Sequence, residues 1–262
     1  MILVDTHAHL DALAHEGALP GVMARAREAG VAGILAVGVD LESSRRATAL
    51  AETYPGVYAA VGIHPHEADK VLPQDLEELT TLSAHARVVA IGETGLDYYR
   101  NLSSASKQLD LFQAHLRLAR DMHKPVIVHD RQAHDQVLSV LRQQSAGLQG
   151  VLHCFSGDLD MAEQAVQLGM YISFAGPVTF LNARQLHAVV PRISAERILI
   201  ETDSPYLAPH PYRGQRNEPS FLTWTARRVA DLRGLALDDL AEITTANAMR
   251  LFGISEPSWA SP

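Results

Sequence analysis

Cysteine is almost missing from the chain: Cys154 stands alone. No internal disulfide can form, which fits a reducing cytoplasm. No stretch approaches the roughly 18 uninterrupted apolar residues of a membrane span. Met1 leads straight into a short apolar run, without the basic segment and long apolar core of a signal peptide. The expectation is a cytoplasmic protein that makes no membrane contact. Lysine is scarce too, with three Lys against 19 Arg, and the formal net charge is −8. That balance argues against a broad basic surface for duplex nucleic acid, but leaves room for a small channel where bound divalent metals and a few arginines supply positive charge. Guanidinium favours planar, bidentate contacts to anions, although Arg-rich coding is the blander reason for its excess. No Gly/Ser/Pro-rich linker and no repeat interrupts the chain, so one domain is expected over residues 1–254, with a frayed tail at 255–262.

What the chain does have is alternation. Apolar runs recur about every 30 residues with amphipathic stretches between them, the size of a βα unit. Eight strands are expected, at Ile2 to Asp5, Gly33 to Val37, Val57 to Val61, Val88 to Gly92, Pro125 to Val128, Gly150 to Leu152, Tyr171 to Phe174 and Arg197 to Ile200. Pro20 opens a helix that runs to about Glu28, before Gly30. Leu109, Phe112, Leu116 and Ala119 mark the apolar face of another between Ser104 and Met122. Asp239 with Glu242 resembles a capping box for a last helix, Leu240 to Leu251, closed by Gly253. Eight strands each followed by a helix predict an α/β fold, a single (β/α)8 TIM-type barrel with an extra C-terminal helix. An open doubly wound sheet is the alternative, but its nucleotide site needs a glycine-rich first turn. Here that turn reads His7-Ala8-His9-Leu10-Asp11.

A barrel places its chemistry at the C-terminal ends of its strands. Strand one ends in His7 and His9, strand three leads to His64 and His66, strand four ends in Glu93, strand five in His129, strand six in His153 and strand eight in Asp203. With 13 histidines, the His-x-His spacing should arise by chance about 0.6 times. A lone pair is therefore weak, and a single strand-end His is more often a hydrogen-bonded structural residue than a ligand. The joint pattern carries the weight, because one mouth gathers all these positions. Four His with one Glu and one Asp exceed what one catalytic zinc takes, which suggests two metals with a bridging carboxylate. Ile91 and Glu93, Ile127 and His129, Val151 and His153 share faces by alternation, apolar in the core and ligating at the rim. Asp5, below His7, and Glu201, beneath Asp203, suit buried hydrogen-bonding roles, and Cys154 suits a small buried apolar one. His15, His85, His115, His123, His134, His187 and His210 are expected to be structural or at the surface.

The order of seven motifs resembles the TatD family of metal-dependent deoxyribonucleases, among the amidohydrolase-type barrels. They are DTHAHLD at 5–11, GIHPH at 62–66, GETGLDYYR at 92–100, PVIVHDRQA at 125–133, HCFSG at 153–157, ETDSPYL at 201–207 and RGQRNEP at 213–219. The resemblance implies a TIM-type barrel in which one metal is held by His7, His9 and Asp203, the other by His129 and His153, with Glu93 bridging both. It also implies that His64 contacts the scissile phosphate or leaving group.

Two divalent ions about 3.5 to 4 Å apart can activate a shared water and stabilise an in-line displacement. Asp203, Glu93 and His64 are the expected catalytic residues, with Asp203 orienting or deprotonating the water. Arg131, Arg213 and Arg216 are candidates for substrate phosphates, and Arg100 is weaker. Tyr98, Tyr99 and Tyr206 either stack a base or pack internally. The expected activity is a metal-dependent phosphodiesterase, a 3′–5′ exonuclease on single-stranded or frayed DNA, in a chain expected to be monomeric. One rival keeps the metals and cleaves a small-molecule amide, ester or lactone. Another is a non-catalytic scaffold associated with nucleic acid. Magnesium, manganese and zinc all stay open, although imidazole-rich sites prefer transition metals to magnesium.

Overall fold

Valine, isoleucine, leucine and alanine fill the strands, as befits parallel strands covered on both faces. In the computed structural model, which describes residues 1–14, 18–144 and 147–254, they are β1 (Leu3–Ala8), β2 (Val31–Val37), β3 (Val57–Val61), β4 (Val88–Asp97), β5 (Val126–Arg131), β6 (Gly150–Leu152), β7 (Met170–Phe174) and β8 (Ile198–Ile200). All pair in parallel in the order β1 to β8. Around them run α1 (Leu10–Ala14), α2 (Leu19–Glu28), α3 (Leu41–Thr53), α4 (Pro73–Ser83), α5 (Ala105–Asp121), α6 (His134–Gln144), α7 (Leu159–Gln167), α8 (Arg184–Val189), α9 (Leu222–Arg233) and α10 (Leu237–Phe252). Every expected strand is found, and β4 and β5 run further toward the mouth than their apolar content suggested. The expected tail at 255–262 and His15 lie outside the described residues. Among the described residues, no helix is long and apolar enough to cross a membrane.

The barrel interior takes at least one side chain from each strand: Val4, Leu35, Val37, Ala60, Ala90, Ile127, Val151, Tyr171 and Leu199. Leu251 and Phe252 of α10, with Ile254, join this cluster. Asn247 donates to the carbonyls of Ala195 and Ile198, and Thr245 to that of Ile2. Those carbonyls sit at the start of β8 and β1, so the last helix covers the floor and leaves the opposite end for chemistry. Gly253 closes α10 in the left-handed conformation, as expected. The start of this helix differs from expectation, however. Leu235 and Leu237 pack against the core, which draws the helix start forward to Leu237. Asp239 therefore lies in the first turn as an acid near the positive helix end, not as its cap.

The β1–β8 seam closes beyond the named strands. Asp203 N–H donates to His7 O at 2.9 Å and His9 N–H to Ser204 O at 2.7 Å. Lower down, Thr202 donates to Asp5 through its backbone at 2.9 Å and its hydroxyl at 2.6 Å. Burial pushes the Asp5 carboxyl up to about 7 against the effect of those bonds. The buried hydrogen-bonding role expected of Asp5 is found, and it serves to join the two ends of the sheet.

Polar residues on the inner face of α5 hold the loops at the mouth. His115 accepts the Ile63 N–H on Nε2 at 3.0 Å and donates from Nδ1 to Leu111 O at 2.9 Å. Gln108, seven residues earlier and on the same face, accepts the Asp97 N–H at 2.9 Å and donates to Ser103 O at 2.8 Å. Burial lowers the His115 pKa from 6.5 to about 4, so the ring is neutral where it accepts. Between those values the unfolded chain binds a proton that the folded one refuses, and stability falls as pH falls. Replacing His115 by Gln keeps an acceptor for Ile63. It should remove up to about 3 kcal/mol of the stability lost between pH 6.5 and 4. Urea unfolding across that range checks this, and an unchanged acid slope contradicts it.

Candidate metal centre

Glu93 reaches the centre of the mouth by a route that simple alternation does not describe. Ala90 faces the barrel interior, while Ile91 packs in the outer layer against the helices. The expectation that Ile91 and Glu93 share a face is therefore corrected. A register irregularity between Ile91 and Thr94 shifts the alternation by one, which brings Glu93 inward. Glycine makes this possible: Gly92 and Gly95 have φ of +145° and +135°. A Cβ at Gly95 would stand 2.0 Å from the His129 carbonyl oxygen. Ile127 and Val151 do face the interior, and His129 and His153 follow them two residues on, as alternation predicts.

The two oxygens of Glu93 face different neighbours. Oε2 stands 3.4 Å from His7 Nε2 and 3.8 Å from His9 Nε2, and those nitrogens lie 3.8 and 3.3 Å from Asp203 Oδ1. Oε1 stands 2.8 Å from both His129 Nδ1 and His153 Nε2, and 3.4 Å from His64 Nε2. Metal–donor bonds of about 2.1 Å imply donor–donor edges of about 3.0 to 3.4 Å. These spacings are close to that range. Three groupings could hold an ion: His7, His9 and Glu93; His64, Glu93 and His129; and His7, His153 and Asp203. Both ring nitrogens of His7 are buried without a hydrogen-bond partner. An imidazole left so is what a cation ligand looks like, because a buried polar atom otherwise finds a partner.

Outer contacts set which nitrogen points inward. His9 donates from Nδ1 to Val37 O at 3.2 Å, and His153 from Nδ1 to Glu201 Oε1 at 3.2 Å. His129 Nε2 stands 3.4 Å from Asp97 Oδ2. The Val37 carbonyl and Glu201 accept and the Asp97 carboxylate stands beside the ring, so each inward nitrogen, once its proton is displaced, would offer its lone pair to a metal. His64 is the opposite case. Its Nδ1 accepts the His66 N–H at 3.2 Å, which leaves the proton of the neutral ring on Nε2. Burial lowers its pKa from 6.5 to about 4, so it stays neutral and presents a donor to the mouth.

The field here calls for positive charge. Burial acts to raise the Glu93 pKa, yet His153, His64 and hydrogen bonds from His129 and His153 hold it well below the carboxylate range. Asp203 is likewise held low, against burial, by its hydrogen bond with His9 and by the neighbouring imidazoles. Although burial opposes it, Asp203 pushes His9 up to about 9. Protons and divalent cations compete for such a set, and a bound metal displaces the protons.

The remaining expected residues divide. Tyr206 lies at the mouth with its ring 5.7 Å from that of His9. Arg131 is exposed at the end of β5, its guanidinium 4.2 Å from the Tyr99 ring centre, and Arg213 sits 4.5 Å over Phe180. Arg216 donates to the Ala12 carbonyl at 3.1 Å. Tyr98 packs against the core. Cys154 is only partly buried, with φ of +43° and its N–H on Glu201 Oε1 at 2.7 Å. It therefore belongs to the turn that sets Glu201, not to the apolar core.

Asp97 escaped the reading of the strand ends, and it is the partner of His66, which that reading places after strand three without a role. Asp97 accepts from the backbone of Tyr99 and Arg100 at 3.0 and 2.8 Å, and lies 2.8 Å from His66 Nε2. Hydrogen bonds from His129, the Arg100 N–H and His66 lower its pKa despite burial. Its even spacing from Glu93 in one strand was the available signal.

A family model described as TatD related DNase matches residues 4–253. The chain belongs to the TatD family. YabD of Bacillus subtilis, an uncharacterised metal-dependent hydrolase, is 42% identical over 97% of this chain and 100% of its own length. A 3′–5′ ssDNA/RNA exonuclease, TatD of Klebsiella pneumoniae, is 40% identical over 89% of this chain and 91% of its own. The crystal structure of YJJV, a TatD homologue from Escherichia coli K12, superposes with a TM-score of 0.92 at 33% identity, covering 97% of this chain and 98% of that one. The TatD fold and the buried His and carboxylate clusters thus agree with a metal-dependent hydrolase.

In this TatD-family protein the contact of Asp97 with His129 makes a specific demand. Replacing Asp97 by Ala should weaken binding of one metal equivalent by about 10- to 100-fold while the fold persists. Titration of metal-free protein with manganese or zinc reads this, and unaltered affinity for every equivalent contradicts it.

Proposed function

We propose that this chain is a two-metal phosphodiesterase that removes nucleotides from the 3′ end of single-stranded or frayed DNA. The observation that carries the reading is the divided environment of Glu93, one oxygen toward His7 and His9 and the other toward His129 and His153. A carboxylate so placed suits a bridge between two ions. Asp203 joins His7 and His9 on the first ion, and His129 and His153 serve the second. The DNA substrate is supported by the family description and by the name of the Klebsiella relative.

Bound there, a pair of divalent ions supplies the positive charge that the phosphoryl group needs and lowers the pKa of the attacking water. The chain's own groups do the rest. Asp203, its carboxylate in the mouth and its φ at +56°, accepts the proton of the water as oxygen bonds to phosphorus. His64 Nε2–H donates toward the P–O3′ bond as it breaks, which leaves a 3′-hydroxyl on the strand and a 5′-phosphate on the released nucleotide. Asp97, Glu201 and the Val37 carbonyl hold the imidazoles at their outer nitrogens. Arg131 and Arg213, both exposed, are the guanidiniums that would meet the phosphates of the strand. Arg216 has a weaker claim, since it contacts Ala12 O. Imidazole donors favour manganese or zinc over magnesium.

Chelated protein incubated with end-labelled single-stranded or duplex DNA should be inactive. Manganese, magnesium or zinc should restore shortening from the 3′ end, faster on single strands. Asp203→Ala should abolish the activity, and Arg213→Ala should raise KM with metal content intact. Protein that binds two metals and cuts no DNA would overturn the substrate and direct attention to amides, esters and lactones.

A further inference from the structure

The chain has seven Tyr, six Phe and two Trp. Among the described residues only two of these aromatic side chains are exposed, Tyr99 and Tyr206, each at 58%. Both stand at the mouth. Tyr99 follows β4 and donates its N–H to Asp97 Oδ1 at 3.0 Å, and Asp97 in turn lies beside His129. Tyr206 follows β8 and donates its N–H to Asp203 O at 2.9 Å, with its ring edge-on to His9. The two rings are thus tied by their backbones to opposite wings of the donor set around Glu93, one on the His129 side and one on the His9 side.

An exposed aromatic ring loses favourable burial, and here the exposure falls only beside the reacting centre. Base faces are the ligand chemistry that such rings suit, because every base has a π-face and stacking does not depend on its edge groups. Charge agrees: in a chain of net charge −8, Arg131 holds a guanidinium 4.2 Å from the centre of the Tyr99 ring. A cation there meets the phosphate next to a stacked base, and its own plane extends the stacking surface.

Resting on the phosphodiesterase reading, we propose that Tyr99, braced by Arg131, and Tyr206 are stacking platforms for the two nucleotides on either side of the bond being cut. Single strands of any base sequence are then gripped by their base faces. A paired duplex offers those faces only after it frays, since each is already covered by its neighbour in the stack.

The test uses metal-loaded protein and a fluorescein-labelled deoxythymidine decamer with phosphorothioate links, which resists cutting during anisotropy titration. Tyr99→Leu and Tyr206→Leu should each weaken binding by about ten-fold or more, within the range that base–aromatic stacks contribute. Tyr99→Phe and Tyr206→Phe, which keep the ring, should bind like the parent protein, and metal content should match the parent in all four. Leu variants that bind within about two-fold of the parent overturn the platforms, because a stack contributes more than that. If the parent cuts ordinary DNA in that case, the phosphodiesterase reading stands alone. A parent protein that neither binds the decamer nor cuts DNA sinks both.

Discussion

Asp5 and Thr202 lie 197 positions apart in the chain, and the hydrogen bonds between them help close the barrel. The same seam carries the backbone bonds from Asp203 to His7 and from His9 to Ser204. Three of the six proposed ligands are therefore placed by the contact that turns an open sheet into a barrel. Closure over so long a loop costs chain entropy before it returns any contact. The floor packing of α10 against the starts of β1 and β8 favours it. Fold and site are thus not separable on this side of the mouth, and a chain that failed to close the seam would scatter His7, His9 and Asp203.

The opposite side depends on how closely β4 and β5 approach. Glycines at 92 and 95 let the strands meet where a side chain would strike the backbone of Ile127 or His129. The irregularity there turns Glu93 inward. Once inside, its carboxylate would be costly to bury alone. The imidazoles around it, each fixed at its outer nitrogen except His7, form the donor set that offsets this cost. His64 differs because a backbone amide, not an acceptor, faces its outer nitrogen. That single exchange of donor for acceptor separates a hydrogen-bond donor from the set of proposed metal ligands.

Much of this was legible from strand ends. His129 and His153 follow interior residues by simple alternation, and His7, His9 and Asp203 terminate the first and last strands. The route of Glu93 was not legible, because alternation breaks where glycines permit a bulge, and the face of Ile91 was misread for the same reason. Asp97 was overlooked because β4 runs past its apolar stretch. The proton position on His64 depends on the turn at Pro65 and on which backbone group it presents, something no spacing encodes. At the far end, leucines at 235 and 237 started α10 before the acid that looked like its cap. Pattern reading succeeded where one element decides a position, and failed where two neighbouring strands decide it together.

Glu93 is proposed to bridge two metal ions at the barrel mouth. Anomalous diffraction from crystals grown with manganese tests it most directly. Two peaks should flank the Glu93 carboxylate, one against His7, His9 and Asp203 and the other against His129 and His153, with His64 outside both coordination spheres. One peak alone in manganese-saturated crystals, or two peaks of which neither touches Glu93, would contradict it.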